Sequence, residues 1–178
     1  HASAQSAETA NAKATITRGI IQHVAASETA HAIIRNSGEI NITAQANAGG
    51  STDANAFASV AYGIAQYAQA TNTSGNAHVT LTNQNSIDIK ALASANAGVT
   101  AIATAHILYG ITQYASGESF VEAKLTNAGT ISILAHAKAS GVSAYDVAKI
   151  TTGFYQYASA GGGDAANVAL NNSSSGNI

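Results

Sequence analysis

Apolar and polar residues alternate along most of this chain with a period of two. In the clearest stretch, from Ala77 to Ala97, alanine, valine, leucine and isoleucine share one parity with Asn83 and Asn85. Because neighbouring side chains of an extended strand point to opposite faces, strict alternation indicates strands with one buried face. A helical period would scatter the same apolar side chains around a cylinder. The alternation therefore predicts an all-β protein, in spite of the helix propensity of alanine.

The alternating pattern is organised in four tandem copies of one unit of about 45 residues. Each copy has a glycine, a glutamine three residues later and then a histidine or tyrosine. An asparagine follows further along the copy, in a second recurring motif. The recurring positions are Gly19, Gly63, Gly110 and Gly153; Gln22, Gln66, Gln113 and Gln156; Tyr67, Tyr114 and Tyr157; and Asn36, Asn83, Asn127 and Asn172. We divide the chain, a single repeat array, into copies 1–40, 41–87, 88–131 and 132–178.

Tandem copies of alternating strands predict a parallel β-solenoid (β-helix), in which each copy stacks on the one before it. Two arms per copy, joined by two loop regions, are expected to pack sheet against sheet. One flattened coil per copy and two shorter coils both remain open.

The recurring residues are expected to be structural. We expect the glycines to lie where a side chain would clash with the neighbouring coil, or where φ is positive. The glutamines are expected to form an amide ladder along the stack. The asparagines are expected at a bend, with their side chains hydrogen-bonded to one another.

Composition excludes several classes of function. The chain has no Cys, so a disulfide scaffold or a cysteine metal site is excluded. Seven Lys and Arg against nine Asp and Glu give no basic footprint, so we expect no nucleic-acid partner. No continuous apolar run of about 18 residues is present, so we expect no membrane insertion. Because the chain begins with His1, we expect a processed or excised stretch, with any signal peptide outside it.

Titratable residues offer two candidates for chemistry. His31 and His78 occupy equivalent positions, with Glu122 next in the series, and such a set suits zinc. A solvated polar row is the simpler interpretation of it. Asp88 and Glu39 would be near each other in stacked copies, and a glycosidase needs such a pair of carboxylates. No further pair recurs, so we expect no catalytic residue, no metal, no cofactor and no enzyme activity.

Tyrosines also recur around the glycine phrase, at Tyr62, Tyr109 and Tyr155 besides those named above. They form either an aromatic stripe for contact with carbohydrate or another subunit, or a stack that rigidifies the sheet. We prefer the structural interpretation.

The phrase Leu-Thr-Asn-Ala-Gly-Thr-Ile at 125–131 resembles the repeat consensus of bacterial β-helical surface proteins. Autotransporter passengers and filamentous haemagglutinin-like adhesins are the families concerned. The resemblance spans essentially the whole chain and rests on degenerate repeat positions. It implies secretion, an extracellular or cell-surface location, and a role as stalk, fibre or adhesin.

We therefore expect an extracellular structural or adhesive solenoid that builds a surface fibre. Its two ends would expose rows of unpaired backbone groups. The expected partner is another copy of the chain stacked head to tail, or a continuation of a longer repeat chain, with coils about 4.8 Å apart. Cell-surface glycans are a second partner class. The alternative is a β-helical protein that binds or cleaves polysaccharide through an acidic or aromatic groove.

Overall fold

A computed structural model of the chain describes residues 1–162, 165–173 and 176–178. Its twelve strands are β1 (Ala2–Ser6), β2 (Thr9–Ala26), β3 (Thr29–Asn36), β4 (Glu39–Gly50), β5 (Asp53–Ala70), β6 (Asn76–Asn83), β7 (Ser86–Ala97), β8 (Thr100–Gly117), β9 (Val121–Asn127), β10 (Thr130–Ser140), β11 (Ser143–Ala160) and β12 (Ala166–Asn172). In these residues no helix is long and apolar enough to cross a membrane.

Three strands make one coil, and the four coils are β1–β3, β4–β6, β7–β9 and β10–β12. Equivalent strands pair in parallel, giving three four-stranded sheets with the orders β1-β4-β7-β10, β2-β5-β8-β11 and β3-β6-β9-β12. The prediction of an all-β parallel solenoid is confirmed. Each repeat is one coil rather than two, which resolves the question that the sequence left open.

The 18-residue strands β2, β5, β8 and β11 form one side of the coil, which we call the long sheet. Each inner long strand packs against both of the shorter strands of its coil. The second expected arm is therefore two strands, divided at a bend that follows the asparagine. The bend is local: in the second coil β6 ends at Asn83, and a two-residue turn separates it from β7.

Equivalent residues lie side by side in successive coils, and we call each such set a column. Asn36, Asn83, Asn127 and Asn172 form one column, and Ala54, Ala101 and Ala144 belong to another. Equivalent positions of the repeat thus line up along the axis, and a property that the residues of a column share extends over the length of the stack.

The core has two apolar clusters, both made of inward-facing columns. The larger contains alanines such as Ala56 and Ala103 and widens around Ile89, Ile111 and Leu125. The smaller is built mainly from alanine and valine. Small side chains allow the sheets to approach closely, so each coil is thin except where leucine and isoleucine fill it.

Candidate functional site

The glycine column marks a tight contact between coils in the middle of the long sheet. A Cβ atom added to Gly63 would lie 2.6 Å from the carbonyl oxygen of Gly110 and 2.6 Å from Cδ1 of Ile89. Neither Gly63 nor Gly110 has a φ angle in the left-handed region. Of the two reasons expected for glycine, close approach of the neighbouring coil is therefore the one that the structure shows.

The glutamine column lies inside the solenoid, between the two apolar clusters of the core. Gln66 Nε2 donates to Gln22 Oε1 at 2.9 Å, Gln113 Nε2 to Gln66 Oε1 at 3.1 Å, and Gln156 Nε2 to Gln113 Oε1 at 2.7 Å. Gln66 and Gln113 are fully buried and also donate to carbonyl groups of β6 and β9. These bonds satisfy buried amides and connect the long sheet to the opposite sheet.

The asparagine column forms a second amide ladder at the bend. Asn36 Nδ2 donates to Asn83 Oδ1 at 2.7 Å, and Asn83 Nδ2 donates to Asn127 Oδ1 at 2.7 Å. The last bond, from Asn127 Nδ2 to Asn172 Oδ1, is 2.8 Å long. Asn83 Nδ2 also donates to the carbonyl oxygen of Asn85, in the turn before β7, and to that of Thr130 at the start of β10.

A groove runs along the outer face of the long sheet beside the glycine column. The pairing of β5 with β8 skips the residues on either side of Tyr62, and such interruptions of a ladder re-aim side chains. Two adjoining depressions, of about 300 and 280 Å³, share Tyr62 and Tyr67 in their lining. The first is lined by Arg18, Ile21, His23, Tyr62 and Tyr67, and the second by Tyr62, Tyr67, Tyr109, Thr112, Tyr114 and Tyr155.

Three columns make up this groove. Arg18, Tyr62 and Tyr109 form one wall, and His23, Tyr67, Tyr114 and Tyr157 form the other. The column between them, which we call the floor, contains Ile21, Ala65, Thr112 and Tyr155. We name the whole feature the tyrosine groove.

The wall tyrosines stack on one another as well as lining the groove. The ring centroids of Tyr62 and Tyr109 are 5.1 Å apart at an interplanar angle of 14°, and those of Tyr114 and Tyr157 are 4.9 Å apart at 11°. The ring of Tyr67 is tilted by 40° from that of Tyr114. Burial raises the pKa of the Tyr67 hydroxyl, and the neighbouring Tyr62 acts in the same direction. Both interpretations of the tyrosines are thus compatible with their placement.

Thr112 on the floor has an unusual environment. The residue is 6% exposed, and its Oγ1 is the one buried side-chain oxygen or nitrogen in the described residues that has no hydrogen-bond partner. Leaving a buried hydroxyl unpaired costs about 1–3 kcal/mol. Its position in the groove lining makes it a candidate for contact with a ligand.

The histidine column lies on a short sheet, away from the groove. The rings of His31 and His78 stack with centroids 4.7 Å apart, and Glu122 is adjacent to His78 in register. Burial lowers the pKa of His78, as does the His31 charge, while Glu122 opposes the shift. In the described part of the chain, no group of three or more His, Cys, Asp or Glu side chains is arranged to hold a metal ion.

The two acids considered as a possible carboxylate pair, Glu39 and Asp88, lie on neighbouring strands of another sheet. Glu39 pairs in register with Ser86, and Asp88 pairs with Asn41. The carboxylate of Asp88 contacts the ammonium group of Lys90 at 3.2 Å. Neither acid lines the tyrosine groove, so an acidic site and the aromatic groove are separate features.

Comparison with known proteins returned no match: no protein-family model matches this chain, and no curated protein or solved structure does. The site is therefore defined by geometry alone. The floor residues Ile21, Ala65 and Thr112 were not predicted, because they share no residue type. The signal that identifies them is position, since each directly precedes the column glutamine.

Proposed function

We propose that this solenoid is an extracellular structural or adhesive element that builds a fibre, with the first coil of one copy stacking on the fourth coil of another. The observation that carries the proposal is the exposed inner surface of the fourth coil. Leu125 in β9 is fully buried, whereas Leu170, its column neighbour in β12, is 45% exposed. The column neighbours Ile107 and Ile150 differ in the same way, since Ile107 is 0% exposed and Ile150 is 42% exposed.

These residues are exposed because no further coil covers them. Among the described residues, no strand pairs with the outer edges of β11 and β12. Such edges offer rows of backbone donors and acceptors for pairing with another chain. Another coil of the same repeat would cover the apolar columns with side chains of similar size, as the coils already do for each other.

The glutamine ladder gives the stacking a direction. All its bonds donate toward the first coil, so it ends on the Oε1 acceptor of Gln156 in the fourth coil and on the amide donor of Gln22 in the first. Head-to-tail contact joins this donor to this acceptor. Head-to-head contact would place like groups together, so a polar, non-closing assembly is favoured.

The strand register is compatible with the same contact. Asn177 already bridges to Thr130 at the start of β10. Ala2 pairs with Ala46, whose column continues through Ala93 to Ala137 near the end of β10. In a head-to-tail stack, the end of one copy and the beginning of the next would therefore lie along different parts of β10.

The extracellular location and adhesive role rest on other support. The phrase at 125–131 resembles repeats of secreted bacterial solenoids, and only 9% of the residues are charged. A surface of Ser, Thr, Asn and Gln, with long in-register sheets, suits a passive fibre.

The first test is to concentrate the purified chain and examine it by electron microscopy and fibre diffraction. We expect filaments one solenoid wide, with a meridional spacing of about 4.8 Å because the strands lie across the axis. Sedimentation velocity should show assembly that increases with concentration. A chain that stays monomeric at high concentration would contradict the proposal.

A matched pair of variants separates coil stacking from general association. Leu170→Lys places a charge on the exposed end of the fourth coil and should abolish filaments. Tyr145→Lys places the same charge in the same coil, on a 64% exposed side chain, and should leave filaments intact. Equal assembly by the two variants would show that the fourth coil is not the contact surface.

A further inference from the structure

We propose that the tyrosine groove binds an extended, neutral, β-linked polysaccharide chain lying along the solenoid axis. The proposal does not depend on fibre assembly, because the groove lies on the side of the stack and not on its ends.

The shape of the groove selects a linear ligand. Its walls and floor are columns, so the groove runs parallel to the axis and across successive coils. The two depressions adjoin, since Tyr62 and Tyr67 line both. Tyrosines line both walls of the groove in the second and third coils, and the ring centroids of Tyr62 and Tyr109 are 5.1 Å apart. A polymer whose unit is about one coil in length can repeat its contacts along such a groove.

The chemistry of the lining matches the faces and edges of a sugar chain. Ile21 in the first depression and the ring of Tyr155 in the second give the floor an apolar character, while Ala65 between them is fully buried. Because Tyr62 and Tyr109 stack face to face, their edges and hydroxyls border the groove. A flat β-linked sugar chain has apolar ring faces and hydroxyls along both edges. Its face would rest on the floor while its hydroxyls reach the phenols of the walls, which act as amphipathic contacts.

The charge of the groove argues against a nucleic acid as the ligand, and the pairing of the strands argues against a peptide added as a further strand. The described residues that line the second depression are all uncharged, and Arg18 and His23 line only the first. A nucleic acid needs repeated cationic contacts. A peptide that binds by strand addition needs a free sheet edge, but the strands beneath the groove are already paired on both sides in the inner coils. Sugar hydroxyls can be satisfied by phenols and water.

The unpaired hydroxyl of Thr112 supplies an independent observation. The residue is more than nine-tenths buried, lines the groove, and has an Oγ1 without a partner. Rotation about χ1 would turn this hydroxyl toward a bound sugar and give it the hydrogen bond that it lacks. None of the described residues that line the groove carries a carboxylate, so the inference concerns binding and not cleavage.

Tyrosine fluorescence offers a direct test, because the chain has no Trp and seven Tyr. We expect cellohexaose to change the emission in a saturable manner. Maltohexaose, an α-linked chain of the same sugar that does not form a flat ribbon, should bind at least ten-fold more weakly than cellohexaose. Hexagalacturonate should bind no more tightly than maltohexaose. Equal responses to all three, or none to cellohexaose at millimolar concentration, would overturn the proposal.

Variants then locate the binding site. The double variant Tyr62→Ala, Tyr109→Ala should weaken cellohexaose binding at least ten-fold by isothermal titration calorimetry. Tyr145→Ala, outside the groove, should leave binding unchanged. Because ring loss can disturb the sheet, the milder double variant Tyr62→Phe, Tyr109→Phe keeps the stack and should still weaken binding. Unchanged affinity in both double variants, with native circular dichroism, would overturn the assignment.

Thr112→Val distinguishes a ligand contact from a purely structural residue. Replacing the unpaired hydroxyl by a methyl group should raise the melting temperature of the free protein. The same change should weaken cellohexaose binding several-fold. A rise in stability with full affinity would show that Thr112 makes no contact with the sugar and would remove it from the site. Dimerisation through the groove in place of sugar binding would overturn the whole inference.

Discussion

The third and fourth coils follow the same repeat pattern, yet their equivalent residues have different environments. Val121, Ala123 and Leu125 of β9 are fully buried, whereas Val168 and Leu170 of β12 are 49% and 45% exposed. The difference lies in the neighbours, because the third coil is covered on both sides and the fourth on one. Burial in this molecule is therefore a property of position in the stack, as expected when each repeat contacts only the adjacent repeats.

The glycine column shows the same contrast at the level of single atoms. A Cβ on Gly110 would lie 2.5 Å from the carbonyl oxygen of Gly153 and 2.5 Å from Cδ1 of Ile133. Among the described residues, a Cβ on Gly153 would meet only Cδ1 of Ile133, at 3.9 Å, which is ordinary contact. The requirement for glycine thus comes from the next coil and not from the backbone conformation of the residue itself.

The largest effect is expected from Gly110→Val compared with Gly153→Val. The first forces a backbone separation inside the stack and should cost more than about 3 kcal/mol. For a chain of this size, that corresponds to a fall in melting temperature of roughly 6–12 °C. Gly153→Val should change the melting temperature by much less. Similar losses in the two variants, measured by circular dichroism, would mean that crowding between coils is not the reason for glycine.

A smaller effect should follow from Leu125→Ala compared with Leu170→Ala. Removing a fully buried leucine side chain costs about 2–5 kcal/mol, because transfer and cavity terms add. Leu170 is about half exposed, so its truncation should cost about 1 kcal/mol. Urea denaturation of the unassembled protein measures both. Should filaments form, the cost of Leu170→Ala should increase, since stacking would bury that residue.

The smallest effect concerns His78, an inner-coil residue whose column position in the fourth coil is occupied by Asn167. Burial and the His31 charge lower the pKa of His78 in the folded protein. The unfolded chain therefore binds the proton more readily, and stability should fall as the pH drops through about 6.5, with no further loss below the folded pKa. His78→Asn should flatten this part of the pH profile. An identical slope in the variant would assign the effect to another group.

Much of the fold could be predicted from the sequence because a solenoid repeats its local rules. The period of two in 77–97 predicts strands, and the recurrence of Gly63, Gln66 and Asn83 predicts the stack. The number of coils per repeat was not predictable, since it depends on where the chain bends. The asparagine position indicated a bend, but the sequence did not show that the bend divides an arm into two strands.

The tyrosine groove was only partly predictable. The recurrence of Tyr62 and Tyr109 indicated an aromatic stripe, and the structure places these residues beside a depression. The floor residues could not be recognised, because Ile21, Ala65 and Thr112 differ in size and polarity. The pairing of β5 with β8 is interrupted on either side of Tyr62, at the wall beside these residues, and alternation alone does not predict that interruption.

The two amide ladders run in opposite directions, and this has an electrical consequence. Gln113 donates to Gln66, toward the first coil, whereas Asn83 donates to Asn127, toward the fourth. The axial dipole moments of the two rows therefore oppose each other, and β-sheets themselves carry only small net dipoles. Each new coil adds opposed contributions from the two rows. Along a fibre the amide moments of the two rows would therefore partly cancel, so the ladders themselves would contribute little to any preferred orientation between neighbouring fibres.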